Sequence, residues 1–211
     1  MKEPALIDYL RTQLQQPLPG PEAQYKMAHV GRPAHPATPS DARKAGVMAL
    51  FYPGSPTTGW HLVLIERVQK HGDRHSGQVS FPGGKHEPQD RDLWATALRE
   101  TEEEVGVPQH SVESLGALTP LYIPVSNFEV HPYVAFTLSR PDFRPQASEV
   151  AEILEVPFAD LTDPSTRKIT DLPINSAITL RDIPYFDVHQ RIVWGATAMM
   201  LNELLELVGR L

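Results

Sequence analysis

The feature that most constrains this chain is the stretch of residues 80–107, SFPGGKHEPQDRDLWATALRETEEEVGV. A Pro-Gly-Gly loop leads into a segment typical of a helix, which Gly106 is suited to end. Four carboxylates crowd its C-terminal end: Glu100, Glu102, Glu103 and Glu104. Because helical positions i, i+3 and i+4 share a face, we expect Glu100, Glu103 and Glu104 to project together while Glu102 points away.

Three carboxylates on one helix face repel each other unless a cation lies between them. A solvated acidic face is the ordinary interpretation of such a run. Two features favour a divalent metal instead. Anions are disfavoured at a helix C-terminus, and the two glycines upstream allow the backbone to approach a ligand closely. Carboxylate oxygens suit Mg²⁺ or Mn²⁺, which commonly binds substrate phosphates, so the stretch predicts a phosphate-handling metal site.

Bulk composition excludes several classes of function. The 211 residues carry a net charge of −7 and no dense Lys/Arg cluster, which argues against a nucleic-acid polymer as partner. Cysteine is absent, so a disulfide, a thiolate metal site and a cysteine nucleophile are impossible. No signal-peptide core and no membrane-length apolar run occur. We therefore predict a cytoplasmic location and no membrane partner.

The first 43 residues read as a helix and an arm that precede the main domain at residues 44–211. Leu6, Leu10 and Leu14 have helical spacing, which predicts a short amphipathic helix packed on the domain or on a neighbouring subunit, so a homodimer stays open. Residues 17–42 hold six prolines and few large apolar groups, which predicts an ordered arm or a mobile loop.

The rest of the chain alternates strand and helix patterns. Strands are predicted over 46–52 and 60–68 as a hairpin, then over 78–81, 114–124, 129–139 and 148–157, and 168–193 reads as two irregular strands linked around Arg181. The helix of the acidic stretch is expected to begin near Asp90 or Asp92, either of which can cap it. Apolar spacing over 194–211 predicts a second long amphipathic helix.

The acidic stretch also resembles a known family. Residues 99–106, RETEEEVG, match the R-E-x-x-E-E-x-G half of the Nudix box completely, although Thr101 stands where an aliphatic residue is usual. The first half of the box has one extra residue after Gly84, and Gly84 and Asp90, six apart, keep the expected spacing. The resemblance implies an α/β fold, a Nudix-type α/β/α sandwich with mixed sheets flanked by the box helix and the C-terminal helix.

Two further stretches resemble one Nudix subgroup, the coenzyme A pyrophosphatases. They are VLIER at 63–67 and GQVSFPGG at 77–84, and the WGATA that starts the last helix is similar as well. One position departs from the subgroup: Asp73 stands where a basic residue is expected, and Arg74 is displaced by one.

The resemblance implies roles for particular residues. The predicted metal ligands for Mg²⁺ or Mn²⁺ are Glu100, Glu103, Glu104 and the Gly84 carbonyl. The predicted catalytic residues are Glu103, Glu100, Arg99 as an orienting partner of the glutamates, and Glu149 as a metal ligand or base. The predicted substrate-binding residues are Arg67, Arg74, His75, Gly83 and Gly84.

Three functions follow from these residues. The first is hydrolysis of coenzyme A or its acyl forms to 3′,5′-ADP and 4′-phosphopantetheine. The second is hydrolysis of other nucleoside diphosphate derivatives such as ADP-ribose or dinucleotides, which the displaced Arg74 favours. The third is a Nudix-fold binding module without turnover. The presence of Glu100, Glu103 and Glu104 argues against it, because a module without catalysis has no need of the full cluster.

Overall fold

The computed structural model of the protein describes residues 3–32, 36–69, 77–174 and 178–209. Its helices are α1 (Glu3–Gln13), α2 (Gly20–Tyr25), α3 (Leu93–Val105), α4 (Phe158–Thr162) and α5 (Gly195–Val208). Its strands are β1 (Arg43–Pro53), β2 (Trp60–Arg67), β3 (Val79–Ser80), β4 (Gly83–Lys85), β5 (Glu113–Ala117), β6 (Leu121–Ile123), β7 (Phe128–Phe136), β8 (Val150–Pro157), β9 (Arg167–Pro173), β10 (Thr179–Val188) and β11 (Arg191–Val193).

A mixed sheet organises the fold around β1. This strand pairs antiparallel with β2 as the predicted hairpin, antiparallel with β4, and parallel with β7. Strand β2 pairs in turn with β3 and β8, while β5 and β6 pair with β7. Strands β9, β10 and β11 form a separate antiparallel sheet.

Helices cover both faces of the mixed sheet. On one face, α3 contributes Ala97 and Val105 to a core with Met48, Leu50 and Ile65. On the other face, residues of α1 and α5 pack with alternate residues of the same strands, such as Phe51 and Leu64. This arrangement confirms the predicted α/β architecture of a mixed sheet between flanking helices.

The N-terminal segment packs on its own chain. Leu6, Leu10 and Leu14 are buried in the core that α5 shares, so α1 adopts the first of the two arrangements predicted for it. The arm after α1 is ordered over the described part and contains α2, a helix that the sequence did not predict. Its Gln24 side chain donates a hydrogen bond to Glu203 of α5, a buried partner that no local pattern could indicate. The homodimer and the domain boundary at residue 43 stay predictions.

The prediction for residues 168–193 was wrong in two respects. The described residues of this range form three strands rather than two, and Arg181 lies within β10 rather than at a link. A two-residue turn at His189 and Gln190 separates β10 from β11, and both residues have positive φ, 49° and 67°. Because glycine usually fills such positions, this turn gave no sequence signal.

The predicted C-terminal helix is confirmed as α5. Among the described residues, none of the helices combines the length and apolar character needed to cross a bilayer.

Candidate active site

Two glycines bring a sheet edge against the acidic helix. In β4, Gly84 pairs with Gly46 and Gly83 pairs with Val47 of β1. A Cβ atom on Gly84 would lie 2.5 Å from Oε1 of Glu100, which is closer than real contacts permit. On the neighbouring strand, a Cβ atom on Gly46 would overlap the Leu93 carbonyl of α3. The helix therefore lies as close to the sheet as glycine alone allows.

Both ends of α3 are fixed by local signals. The Asp92 carboxylate accepts a hydrogen bond of 2.8 Å from the Ala95 backbone N–H. At the other end Gly106 is left-handed, with φ of 75°, and its N–H bonds to the Glu102 carbonyl at 2.9 Å. The predicted start near Asp90 or Asp92 and the stop at Gly106 are confirmed.

Asp90 has a different task from Asp92. Its carboxylate accepts two hydrogen bonds from Arg99, from Nε at 2.9 Å and from Nη2 at 3.0 Å. The Thr96 hydroxyl and the Glu87 N–H also donate to it. Its side chain is only 4% exposed, and the hydrogen bonds from Arg99 hold the pKa of this carboxyl far below its usual range.

Asp90 was not among the predicted site residues, although its spacing from Gly84 marked the position. The structure makes it the anchor of Arg99.

Arg99 connects this anchor to the glutamates. Its Nη1 lies 3.0 Å from Oε1 of Glu100 and 3.0 Å from Oε2 of Glu103, and its Nη2 donates to the Lys85 carbonyl at 3.2 Å. One guanidinium therefore holds the glycine loop and two of the acidic side chains in register. This geometry fits the orienting role that the sequence predicted for Arg99.

Glu104 is the most buried carboxylate of the cluster, with 1% of its side chain exposed. The Gly83 N–H donates to its Oε2 at 2.8 Å, and Nη1 of Arg67, at the end of β2, lies 3.7 Å from its Oε1. Burial raises the pKa of the Glu104 carboxyl to about 8. The charges of Glu100 and Glu149 act in the same direction, against Gly83 and Arg67.

The remaining glutamates surround this point at different depths. Burial raises the pKa of Glu100, and the charges of Glu103 and Glu149 add to that effect. Glu103 is half exposed, at 51%, and turns toward Arg99. Glu149 immediately precedes β8, and its carbonyl accepts a hydrogen bond from the Val68 N–H just after β2. Glu102 points away, as predicted, and accepts a hydrogen bond from the Gln109 side chain.

The structure thus brings most of the predicted residues together. Arg67, Gly83, Gly84, Arg99, Glu100, Glu103, Glu104 and Glu149 are linked by these contacts and charges. Arg74 and His75, with Asp73, lie outside the described residues. Within the described part of the chain, no three acidic or histidine side chains are arranged as a closed metal-binding group.

The donor set nevertheless fits a hard divalent cation. The charge of Glu100 raises the pKa of the buried Glu104, and a cation between the two carboxylates would relieve that repulsion. Mg²⁺ typically takes one or two carboxylates and completes its shell with waters and phosphate oxygens, so an open protein site is what it requires.

A glycine loop, an acidic helix anchored by an arginine and a mixed sheet between helices define a hydrolase that acts on phosphate compounds. The chain belongs to the NUDIX domain family, whose model matches residues 42–176. It is a Nudix hydrolase, that is, a pyrophosphohydrolase.

Two relatives illustrate the membership. A protein of Pectobacterium atrosepticum named Uncharacterized Nudix hydrolase NudL is 37% identical over 142 residues, which are 67% of this chain and 72% of the relative. A protein of the same name from Yersinia pestis is 32% identical over 179 residues, which are 83% of this chain and 84% of the relative.

Solved structures share the fold. The Nudix hydrolase RenU of M. smegmatis superposes with a TM-score of 0.53 at 14% identity, over 81% of this chain and 88% of that one. A MutT/nudix family protein of Enterococcus faecalis gives a TM-score of 0.53 at 16% identity, over 99% of this chain and 75% of that one. At these identities the likeness concerns the fold alone.

Proposed function

We propose that this protein is a metal-dependent hydrolase of the pyrophosphate bond in small nucleoside diphosphate derivatives, with coenzyme A and its acyl forms as substrates. One observation carries the proposal. Arg67, from the VLIER strand, and Gly83, from the FPGG loop, meet at the same buried carboxylate, Glu104. The two stretches that resemble the coenzyme A pyrophosphatases thus converge on one point beside the box helix.

Glu100, Glu104 and the Gly84 carbonyl would hold Mg²⁺ or Mn²⁺, with Glu103 at the more exposed rim. Such an ion, when bound, supplies charge neutralisation at the pyrophosphate and polarises water for attack.

The protein's own groups would do the rest. The Arg67 guanidinium, close to Glu104, is placed to bind a phosphate oxygen of the substrate. Glu149, whose charge acts on both Glu100 and Glu104, would take a proton from the attacking water. Asp90 and Arg99 hold the glutamates in position. One P–O bond of the phosphoanhydride breaks and the water oxygen joins one phosphorus, so that two phosphomonoesters leave.

Mass analysis of products after incubation with Mn²⁺ tests the proposal. Free coenzyme A should give 3′,5′-ADP and 4′-phosphopantetheine, and ADP-ribose and diadenosine polyphosphates serve as competing substrates. Glu104→Gln should lower the rate by about 10²-fold or more, because a metal ligand and the partner of Arg67 are lost together.

Glu102→Gln is the matched control, since Glu102 lies on the same helix but points to solvent, and it should keep the parent rate. If the protein hydrolysed the competing substrates but not coenzyme A, the substrate assignment would be overturned. The proposed hydrolase chemistry would still hold.

A further inference from the structure

Two carboxylates face each other across the sheet next to the candidate active site. In the ladder between β2 and β8, Glu66 pairs directly with Glu152. Like charges in directly opposed positions of a sheet are destabilising. The next pair joins Arg67 to Val150, so Ala151 of β8 has no partner and forms a β-bulge. Bulges of this kind re-aim side chains, and here Arg67 and Glu149 lie immediately beyond it.

Arg191 of β11 bridges the facing pair and offsets part of its charge. Its Nε donates to Oε2 of Glu66 at 2.8 Å, and its Nη2 makes a short bond to Oε2 of Glu152. Its Nη1 donates to the His189 carbonyl at 3.1 Å, within the tight turn that starts β11. Each guanidinium nitrogen therefore has an acceptor, and the arginine is fixed on its own strand as well as on β2 and β8.

Arg191, Glu66 and Glu152 form a clamp between the strands. This clamp is connected to each part of the site that β2 and β8 carry. Glu66 is the residue before Arg67, and Glu152 is three residues after Glu149. Strand β11 also contacts β3, which leads into Gly83 and Gly84. We propose that Arg191 is a positioning residue for hydrolysis, which holds Arg67 and Glu149 at their working separation by bridging Glu66 and Glu152 across the bulge. The inference rests on the proposed active site but not on the identity of the nucleotide.

Stability alone does not account for such a clamp. The side chains of Arg191 and Glu66 are each 31% exposed, and that of Glu152 is 51% exposed. Ion pairs at this exposure contribute little to the stability of the folded protein. Displacing a reacting or binding group by about 1 Å, in contrast, can cost about 10²-fold in rate. Loss of Arg191 should therefore affect hydrolysis far more than folding.

The first test compares Arg191→Met with Arg140→Met. Arg140 makes a similar two-nitrogen ion pair with Glu155, at the opposite end of β8 from the bulge. We expect kcat/KM for free coenzyme A in Mg²⁺, or for ADP-ribose if that is the better substrate, to fall at least 10-fold in Arg191→Met. In Arg140→Met it should stay within about 2-fold of the parent. Unfolding by urea should be similar in the two variants.

A second test asks whether Arg191 acts through Arg67. In an Arg67→Met background, Arg191→Met should have much less effect than in the parent, because neighbours that act together are non-additive. The substitutions Glu66→Gln and Glu152→Gln remove both facing carboxylates. When they are added to Arg191→Met, part of the rate should be restored. This uncharged triple variant also serves if Arg191→Met fails to fold.

Three results would overturn the proposal: a parent-like rate in folded Arg191→Met, the same fold-loss with and without Arg67, or no recovery in the triple variant. A wrong substrate or an inactive parent protein would appear before any substitution is made, so failure of the proposed function is distinguishable from failure of the Arg191 proposal.

Discussion

At the scale of single residues, Glu104 concentrates the electrostatics of the site. A carboxylate that is 1% exposed and lies near two other glutamates is costly to ionise, even with Gly83 and Arg67 beside it. With its pKa raised to about 8, the side chain is mainly neutral at pH 7 in the absence of a cation. Ligation of a divalent metal requires the ionised form, so metal binding near neutral pH should release a proton.

The raised pKa of Glu104 predicts how stability depends on pH. Between the ordinary value of 4.5 and about 8, the folded protein binds more protons than the unfolded chain. The free energy of unfolding should therefore fall as the pH rises through this range. Urea denaturation in EDTA, from about pH 5 to about pH 8, should show this fall in the parent and a flatter profile in Glu104→Gln.

Glu102→Gln is again the matched control and should follow the parent profile. An equal change of slope in both variants would show that the burial of Glu104 is not the cause.

At the scale of elements, two aspartates that are separated by one residue have different roles at the start of α3. Asp92 caps the helix through the Ala95 N–H, whereas Asp90 holds Arg99 and, through it, Glu100 and Glu103. One aspartate contributes to the stability of the helix, and the other contributes to the geometry of the site.

This division predicts opposite outcomes for two substitutions. Asp92→Ala should cost about 1 kcal/mol of stability, as the loss of a helix cap does, and should leave kcat/KM nearly unchanged. Asp90→Asn should lower kcat/KM at least 10-fold, because the Arg99 guanidinium loses its ionised bidentate partner. Hydrolysis of coenzyme A and urea denaturation of both variants supply the two measurements. Equal losses of rate in the two variants would contradict the distinction.

At the scale of the whole molecule, a buried glutamate of α5 links the N-terminal segment to distant parts of the chain. Glu203 of α5 is 0% exposed. It accepts hydrogen bonds from the Gly20 N–H at 3.1 Å, from Gln24 Nε2 at 2.8 Å and from the Thr119 hydroxyl at 2.6 Å. This one acceptor on α5 thus binds donors from helix α2 and from the loop that follows β5. These bonds explain why the proline-rich arm is ordered there.

Removal of this acceptor should destabilise the protein strongly. Glu203→Ala leaves several buried donors unsatisfied, and we expect a loss of about 3 kcal/mol in the free energy of unfolding. Glu22→Ala, an exposed position on α2, should change it by less than about 0.5 kcal/mol. Chemical denaturation of both variants checks the difference, and similar values would show that Glu203 is not the tie.

Much of the site was predictable because its signals are local in the chain. Each of these signals acts over a short stretch of the chain. They are the i, i+3, i+4 spacing of the glutamates, the cap residues Asp92 and Gly106, and the glycines of the loop. These features predicted a helix with an acidic face behind a glycine loop, and hence the class of chemistry. The patterns of apolar residues likewise predicted β1, β2 and α5.

Contacts between distant segments were decided only by the tertiary structure. Arg191 and Glu66 are 125 residues apart, and Gln24 and Glu203 are 179 apart. The way α3 lies on the sheet decides which of Glu103 and Glu104 is the buried carboxylate. It also decides whether Arg99 binds a glutamate or Asp90 most closely. Strand register and helix packing determine these pairings, and both depend on the burial of apolar area over the whole core. A local pattern of charges does not predict that burial.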